Sequence, residues 1–293
     1  MSGARGLLVL RAGALTTVQD RGRPGYAHLG VPRSGALDAG AHALANRLVG
    51  NPVDAATLET TLDGVALRAL APVTVAVTGA PCPVRASGRA VAWGEPVWLP
   101  GGAELEVGRA VSGLRSYVAV RGGFGVPAVL GSRATDLLSG LGPPVLAAGT
   151  LLPVGPPGPD PVRGADGAGA AGAGAELVLP LRLGPRADWF TAESIAGLWR
   201  SGYRVSALSN RIGLRTEAGP PLRRARGGEL PSEGMVLGAV QVPPDGLPVV
   251  FLADHPVTGG YPVIGVIPEG PPLDAAAQAR PGTGVRFVRA GRN

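Results

Sequence analysis

The residues of this chain suited to chemistry are polar side chains set in glycine-rich turns, where a group can be presented without being needed for a core. In Thr16-Thr17-Val18-Gln19-Asp20-Arg21-Gly22-Arg23, Gln19 offers an amide, Asp20 offers acceptors, and Arg23 offers a planar fork suited to a carboxylate or phosphate. A turn in which Asp20 caps neighbouring N–H groups accounts for the same residues. Ser34 and Asp38 stand on a glycine-containing approach to a helix, where free N–H groups and the helix dipole favour an anion; they also suit a cap and a first-turn charge. Arg121 in RGGF, and Ser132 and Asp136 in LGSRATD, form a third group, for which the alternative is a strand end with Arg121 paired to a carboxylate.

In the second half, Gln241 ends a strand that enters a Pro-Asp-Gly turn, and Asp254, Thr258 and Tyr261 surround the pair Gly259-Gly260. Paired glycines let a backbone approach a ligand closely. Asp254 suits acid or base work if desolvated, whereas His255, placed before a proline, reads as structural. The three histidines are isolated and no HxH, HExxH or CxxC occurs, so no metal site is expected. No GxSxG elbow and no GxGxxG after a strand are present.

These turns need elements to hold them. Short apolar runs at 7–10, 73–77, 97–99, 116–120, 176–183, 248–252, 263–267 and 285–288 read as strands, bordered by glycine and proline as in barrels or sandwiches. Two segments have helical spacing. Leu37, Ala41, Leu44 and Leu48 fall on one face, with Ser34 as the expected cap and Gly50-Asn51-Pro52 as the stop. Trp189, Ile195, Leu198 and Trp199 follow Asp188 as the expected cap, and Gly202 closes that run. The stretch 156–175 has Val162 as its one large apolar residue and reads as a linker or exposed loop, dividing the chain into modules 1–155 and 176–293 with about one helix each.

Composition narrows the function classes. The net charge of +6 is spread along the chain and aromatic residues are 4%, which argues against a nucleic-acid surface. All 27 basic residues are arginine, so this chain can carry no biotinyl-lysine, no pyridoxal Schiff base and no Walker-type phosphate-loop lysine. Cys82 is the sole cysteine, which fits a packed thiol in a reducing compartment. No window is long and apolar enough for a membrane span, and a cytoplasmic protein is expected.

Taken in order, TTVQDRGRPGYAHLGVPRSGALD, ANRLVGNPVDAATLE, RGGF, LGSRATD, GPRADWF, SNRIGLR, VQVPPDGLPVV and ADHPVTGGYPVIGVI resemble the KipA-type family, also called allophanate hydrolase subunit 2 or the biotin-dependent carboxyltransferase family. The resemblance covers nearly the whole chain. It implies a mainly β fold of cyclophilin-like β-barrels and the role of the C subunit in a prokaryotic ATP-dependent 5-oxoprolinase, inactive alone. The implied partners are the KipI-like B subunit and the LamB/YcsF-like A subunit, which together with this chain open 5-oxoproline to glutamate using ATP. Asp254, Arg121 and Gln241 are then the candidate catalytic residues, and Gln19, Asp20, Arg23, Ser34, Asp38, Ser132, Asp136, Arg211, Thr258 and Tyr261 the candidate substrate contacts. The same family implies two alternatives: a carboxyltransferase acting on urea or a related amide, with biotin on a separate chain, and a non-catalytic antagonist of a KipI-like kinase inhibitor. The chain departs from the family pattern at Asn210, at His255-Pro256-Val257, and in 140–149, which reads GLGPPVLAAG.

Overall fold

The computed structural model describes residues 5–164 and 176–291. The chain divides into two compact units. Unit 1 comprises Met1–Arg23, Ser34–Asp136 and Gly140–Gly172, and unit 2 comprises Pro24–Arg33, Leu137–Ser139 and Ala173–Asn293. Of the predicted linker 156–175, residues 156–164 run without helix or strand, and 165–175 lie outside the described residues.

Unit 1 contains two sheets. A six-stranded sheet runs Leu151–Pro153, Gly6–Arg11, Val65–Ala69, Glu104–Val107, Val84–Ala86, Arg89–Val91. A five-stranded sheet runs Leu15–Gln19, Thr57–Thr61, Arg115–Val120, Val73–Gly79, Pro96–Leu99. Period-two alternation explains how they pack, because successive side chains of a strand point to opposite faces. Along the central strand Arg115–Val120, Val118 and Val120 join Leu7, Leu67 and Leu105 of the other sheet in one apolar core. Tyr117 and Ala119 instead join Ala45, Leu48 and Val49 in a second cluster. This strand is buried on both faces, which is why residues 117–120 read as an unbroken apolar run.

The helix in that second cluster is α1 (Ala39–Leu48). Its cap is Asp38, whose Oδ1 accepts from the Ala41 N–H at 2.8 Å, and not the predicted Ser34. Ser34 has left-handed backbone (φ 53°) and its hydroxyl donates to the Thr135 carbonyl at 3.1 Å, so the helix begins later than the apolar spacing implied.

Unit 2 is a closed seven-stranded barrel in the order Glu176–Leu183, Val263–Val266, Ala239–Gln241, Val249–Phe251, Gly213–Glu217, Gly202–Val205, Gly284–Arg289. The last strand closes on the first in parallel register, and the other pairs are antiparallel. A Cβ at Gly265 would overlap the Arg182 carbonyl, so glycine is required where those two strands meet. The prediction of barrels thus holds as a mostly β fold with closure in unit 2, while unit 1 is built from two sheets.

Two helices accompany the barrel instead of the expected one. Helix α2 (Ala192–Leu198) is capped by Thr191, whose hydroxyl accepts from Ser194 N–H at 3.2 Å. The predicted cap Asp188 sits in the preceding 3-10 turn Pro185–Trp189 and pairs with Arg226 at 2.8 Å. Helix α3 (Pro271–Gln278) escaped the sequence reading because its buried face holds a single large apolar side chain, Leu273, beside Ala276, Ala277 and the polar Gln278. A face of small residues gives little periodic hydrophobic signal.

Candidate functional site

In unit 1 most of the predicted residues converge on the segment 129–136. Asp20 is buried, and its Oδ1 accepts from Ser132 Oγ at 2.6 Å and Gly22 N–H at 2.8 Å, while Oδ2 accepts from Arg133 N–H at 2.6 Å. Arg23 is also buried and donates to the carbonyls of Val129 (3.3 Å) and Ala134. Ser34 Oγ and Gln19 Nε2 both reach the Thr135 carbonyl, at 3.1 and 2.9 Å. The contact from Gln19 fixes its amide orientation, because a carbonyl oxygen accepts only from the NH₂. Gln19 Oε1 is left buried with no donor among the described residues. Asp136 is buried on the same segment, and its backbone N–H donates to the Leu141 carbonyl at 2.9 Å.

A second polar cluster lies between α1 and the five-stranded sheet. Glu59 Oε2 accepts from the Leu37 N–H at 2.9 Å and from Tyr117 Oη at 2.8 Å; Tyr117 in turn accepts from Asp38 N–H at 2.8 Å. Arg115 Nε stands 3.6 Å from Glu59 Oε1. Burial, together with Glu59 and Asp38, holds the Tyr117 phenol well above its usual range. His42 lies between Thr57 Oγ1 (2.9 Å) and the Val53 carbonyl (3.0 Å), and burial pushes its imidazole down against the raising effect of that carbonyl. A neutral ring that donates from Nε2 to Val53 and accepts at Nδ1 satisfies both contacts. Asn46 and Asn51 complete the cluster, with Asn51 bonding Asn46 Oδ1 (3.1 Å), the Val120 carbonyl (2.8 Å) and the Gly122 N–H (2.8 Å).

Arg121 stands at the end of α1. Its terminal nitrogens donate to the carbonyls of Val49 and Gly158, each at 3.2 Å, in place of the carboxylate that the sequence offered as an alternative. Cationic donors at a helix C-terminus satisfy its open carbonyls and oppose its dipole.

In unit 2, Arg211 and Asp254 form a two-pronged ion pair, Nε to Oδ2 and the terminal nitrogen to Oδ1, both at 2.9 Å, with side chains 1% and 0% exposed. Asp254 Oδ2 also accepts from the Leu137 N–H at 3.1 Å. His255 bonds the Pro256 carbonyl through Nδ1 and stacks on Phe251, a packing role that matches its sequence reading. Gln241 is buried and donates to the Tyr261 carbonyl at 3.2 Å. Thr258 and Tyr261 are exposed, and Thr258–Gly259 pairs with Glu233–Gly234. A Cβ on Gly259 would come within 2.7 Å of Gln241 Nε2, so this glycine makes room for the amide.

Sequence reasoning passed over Glu59, His42, Tyr117 and the Arg186–Glu233 pair. A carboxylate among threonines in the strand Thr57–Thr61 was the available signal for Glu59. Arg186 Nε meets both Glu233 oxygens at 2.9 and 3.1 Å; the pairing holds the Glu233 carboxyl below its usual range and raises the Arg186 guanidinium. Cys82 packs in the unit 1 core, and burial raises its thiol. Among the described residues no group of three His, Cys, Asp or Glu could hold a metal ion, and no helix is long and apolar enough to cross a membrane.

Comparison with known proteins matches residues 29–289 to the family described as carboxyltransferase domain, subdomain A and B. The chain is 39% identical over 287 residues to the C subunit of 5-oxoprolinase from Escherichia coli strain K12, covering 97% of this chain and 91% of that protein. It is 33% identical over 311 residues to urea amidolyase of Lachancea kluyveri, covering 96% of this chain but 17% of that one. The crystal structure of Kluyveromyces lactis urea carboxylase superposes with a TM-score of 0.93 at 30% identity, over 99% of this chain and 28% of that chain.

Two outcomes test the electrostatics. Asp254→Ala leaves the Arg211 guanidinium buried without its carboxylate and should destabilise the protein by about 3–5 kcal/mol in urea unfolding, whereas Arg211→Met with Asp254→Leu should recover most of that loss. His42 is held below its ordinary 6.5, so the unfolded chain binds the proton first. Its contribution is complete above that value and is lost as the pH falls. Between about pH 6.5 and 5, denaturant midpoints should therefore drop less for His42→Gln than for the parent chain.

Proposed function

The chain belongs to the carboxyltransferase subdomain A and B family, and from that membership we propose that it is the C subunit of an ATP-dependent 5-oxoprolinase, working with the KipI-like B subunit and the LamB/YcsF-like A subunit. The observation that carries this reading is the match to the Escherichia coli protein over 97% of this chain and 91% of that one. The urea amidolyase and urea carboxylase matches occupy a small fraction of much longer chains.

The chemistry needs more than this chain. The lactam of 5-oxoproline is a stabilised amide; phosphorylation of its oxygen by ATP would activate the carbon toward water. The ring C–N bond would then break with the nitrogen leaving as the amine, and the acyl phosphate so formed would be hydrolysed by a second water to glutamate and phosphate. A chain without lysine offers no Walker-type grip on the nucleotide, so the ATP site is assigned to another component of the complex. The enzyme is read as cytoplasmic, with no cofactor bound covalently to this chain. Within unit 2, Gln241, Thr258 and Tyr261 are the assigned substrate contacts, because Thr258 and Tyr261 are exposed and Gln241 bonds the backbone of Tyr261. Arg211 and Asp254 position that loop, since both carboxylate oxygens are already engaged. In unit 1, the turn held by Asp20, Arg23, Ser34 and Ser132 is the second assigned contact region, and Gln19 Oε1 is its buried acceptor in want of a donor. Arg121 is reassigned from clamp to anchor of the α1 terminus.

A second reading, a carboxyltransferase acting on urea or a related amide, is favoured by the TM-score of 0.93 to urea carboxylase. Biotin would then arrive on another chain, because this one has no lysine to carry it.

Glutamate release from 5-oxoproline and ATP by the purified components, each omitted in turn, tests the first reading. Activity should vanish when this chain is left out, and Tyr261→Ala with Gln241→Ala should lower kcat/KM by about 100-fold while leaving the melting temperature within a few degrees. Undiminished activity without this chain would refute the assignment.

A further inference from the structure

The end of α1 and the segment 156–164 bound a cleft of about 620 Å³, a size that ordinarily holds a small organic molecule. All its lining residues belong to unit 1, and of the site residues described above it shares Asn51 and Val53. Arg47, from the last turn of α1, and Arg163 line it together with Asp160, and the wall between them includes Ala43, Leu44 and Val53. Among the described residues neither Arg47 nor Arg163 makes a side-chain hydrogen bond or ion pair. Arg121 adds a third positive charge behind the cleft, since its terminal nitrogen lies 2.9 Å from where a Cβ on Gly50 would sit. Three guanidinium groups against the single carboxylate of Asp160 leave a local excess of positive charge, in a recess that also offers apolar surface.

The base of this cleft is fixed. The Asn51 amide is held by Asn46, the Val120 carbonyl and the Gly122 N–H. The 156–164 segment is tied down by Arg163 N–H to the Leu48 carbonyl at 3.1 Å and by Arg121 to the Gly158 carbonyl. Gly50 lets the two stretches of backbone approach, because a Cβ there would come within 2.6 and 2.7 Å of the carbonyls of Asp160 and Pro161. The α1 carbonyls that would repel an anion are already covered: Leu48 accepts from Arg163 N–H and Val49 from Arg121. A preformed recess with uncommitted guanidinium groups spends little free energy on reorganisation when a ligand binds.

We propose that this cleft binds a small organic anion, a carboxylate or phosphate on a short apolar body, with Arg47 and Arg163 holding the anionic end and Leu44 and Val53 covering the body. The site is independent of the 5-oxoprolinase reading, so its test does not use that activity. Calorimetric titration of the purified chain with inorganic phosphate and, separately, with hexanoate supplies the two head groups. The expected result is a Kd of about 1 mM or tighter for one of them, weakened about tenfold or more in Arg47→Ala/Arg163→Ala and unchanged in the surface control Arg89→Ala. The preferred probe identifies the head group. Both arginines are exposed, so the double variant should keep the parent melting curve. Absence of binding by either probe, or binding that survives loss of both arginines, would overturn the proposal.

Discussion

Removing a carboxylate or guanidinium from water costs several kcal/mol, and the loss is recovered only where partners surround the charge. Three such points organise the polar parts of this chain. Asp20 is surrounded by Gly22, Ser132 and Arg133, which ties the turn after Leu15–Gln19 to the segment 129–136. Glu59 is surrounded by Leu37, Tyr117 and Arg115, which sets where α1 begins against the sheet. Asp254 is surrounded by Arg211 and Leu137, which fixes the loop that carries Thr258 and Tyr261. Each carboxylate joins segments far apart in sequence, so the apolar strands provide the frame and the buried charges set the turns upon it.

This arrangement divides the polar residues by what they can still do. Asp20, Glu59 and Asp254 have spent their acceptor capacity on the protein, and a group so occupied holds geometry better than it moves a proton. Thr258 and Tyr261 are exposed, and Gln241 is fixed beside them through the Tyr261 backbone. Charged residues in glycine-rich turns thus serve largely as scaffold, while Thr258 and Tyr261 present neutral hydrogen-bonding groups at the surface.

Strands built from dense apolar runs were legible in the sequence, as in Arg115–Val120 and Glu176–Leu183, because their pattern is local. Short strands such as Val84–Ala86 and Arg89–Val91 were not, since three residues give no period and only pairing across the sheet defines them. Helix caps were misread by several residues: Asp38 and Thr191 compete with Ser34 and Asp188 as neighbours of similar propensity, and tertiary bonds decide between them. Among the candidate site residues, the link between Arg211 and Asp254 could not be read from the sequence, because 43 residues separate them and only the antiparallel pairing of Gly213–Glu217 with Val249–Phe251 brings them together. Glu59 was visible as a charge in a buried, threonine-rich strand, but its partners come from separate segments.

The two enzymatic readings differ in whether carboxybiotin takes part. With the complete complex turning over 5-oxoproline, the decisive measurement is the dependence of ATP consumption on bicarbonate and its response to avidin, which sequesters biotin. The 5-oxoprolinase account predicts ATP use tied to ring opening, unaffected by removal of bicarbonate or by avidin. ATP use that requires bicarbonate and stops with avidin would contradict that account and establish carboxyl transfer in its place.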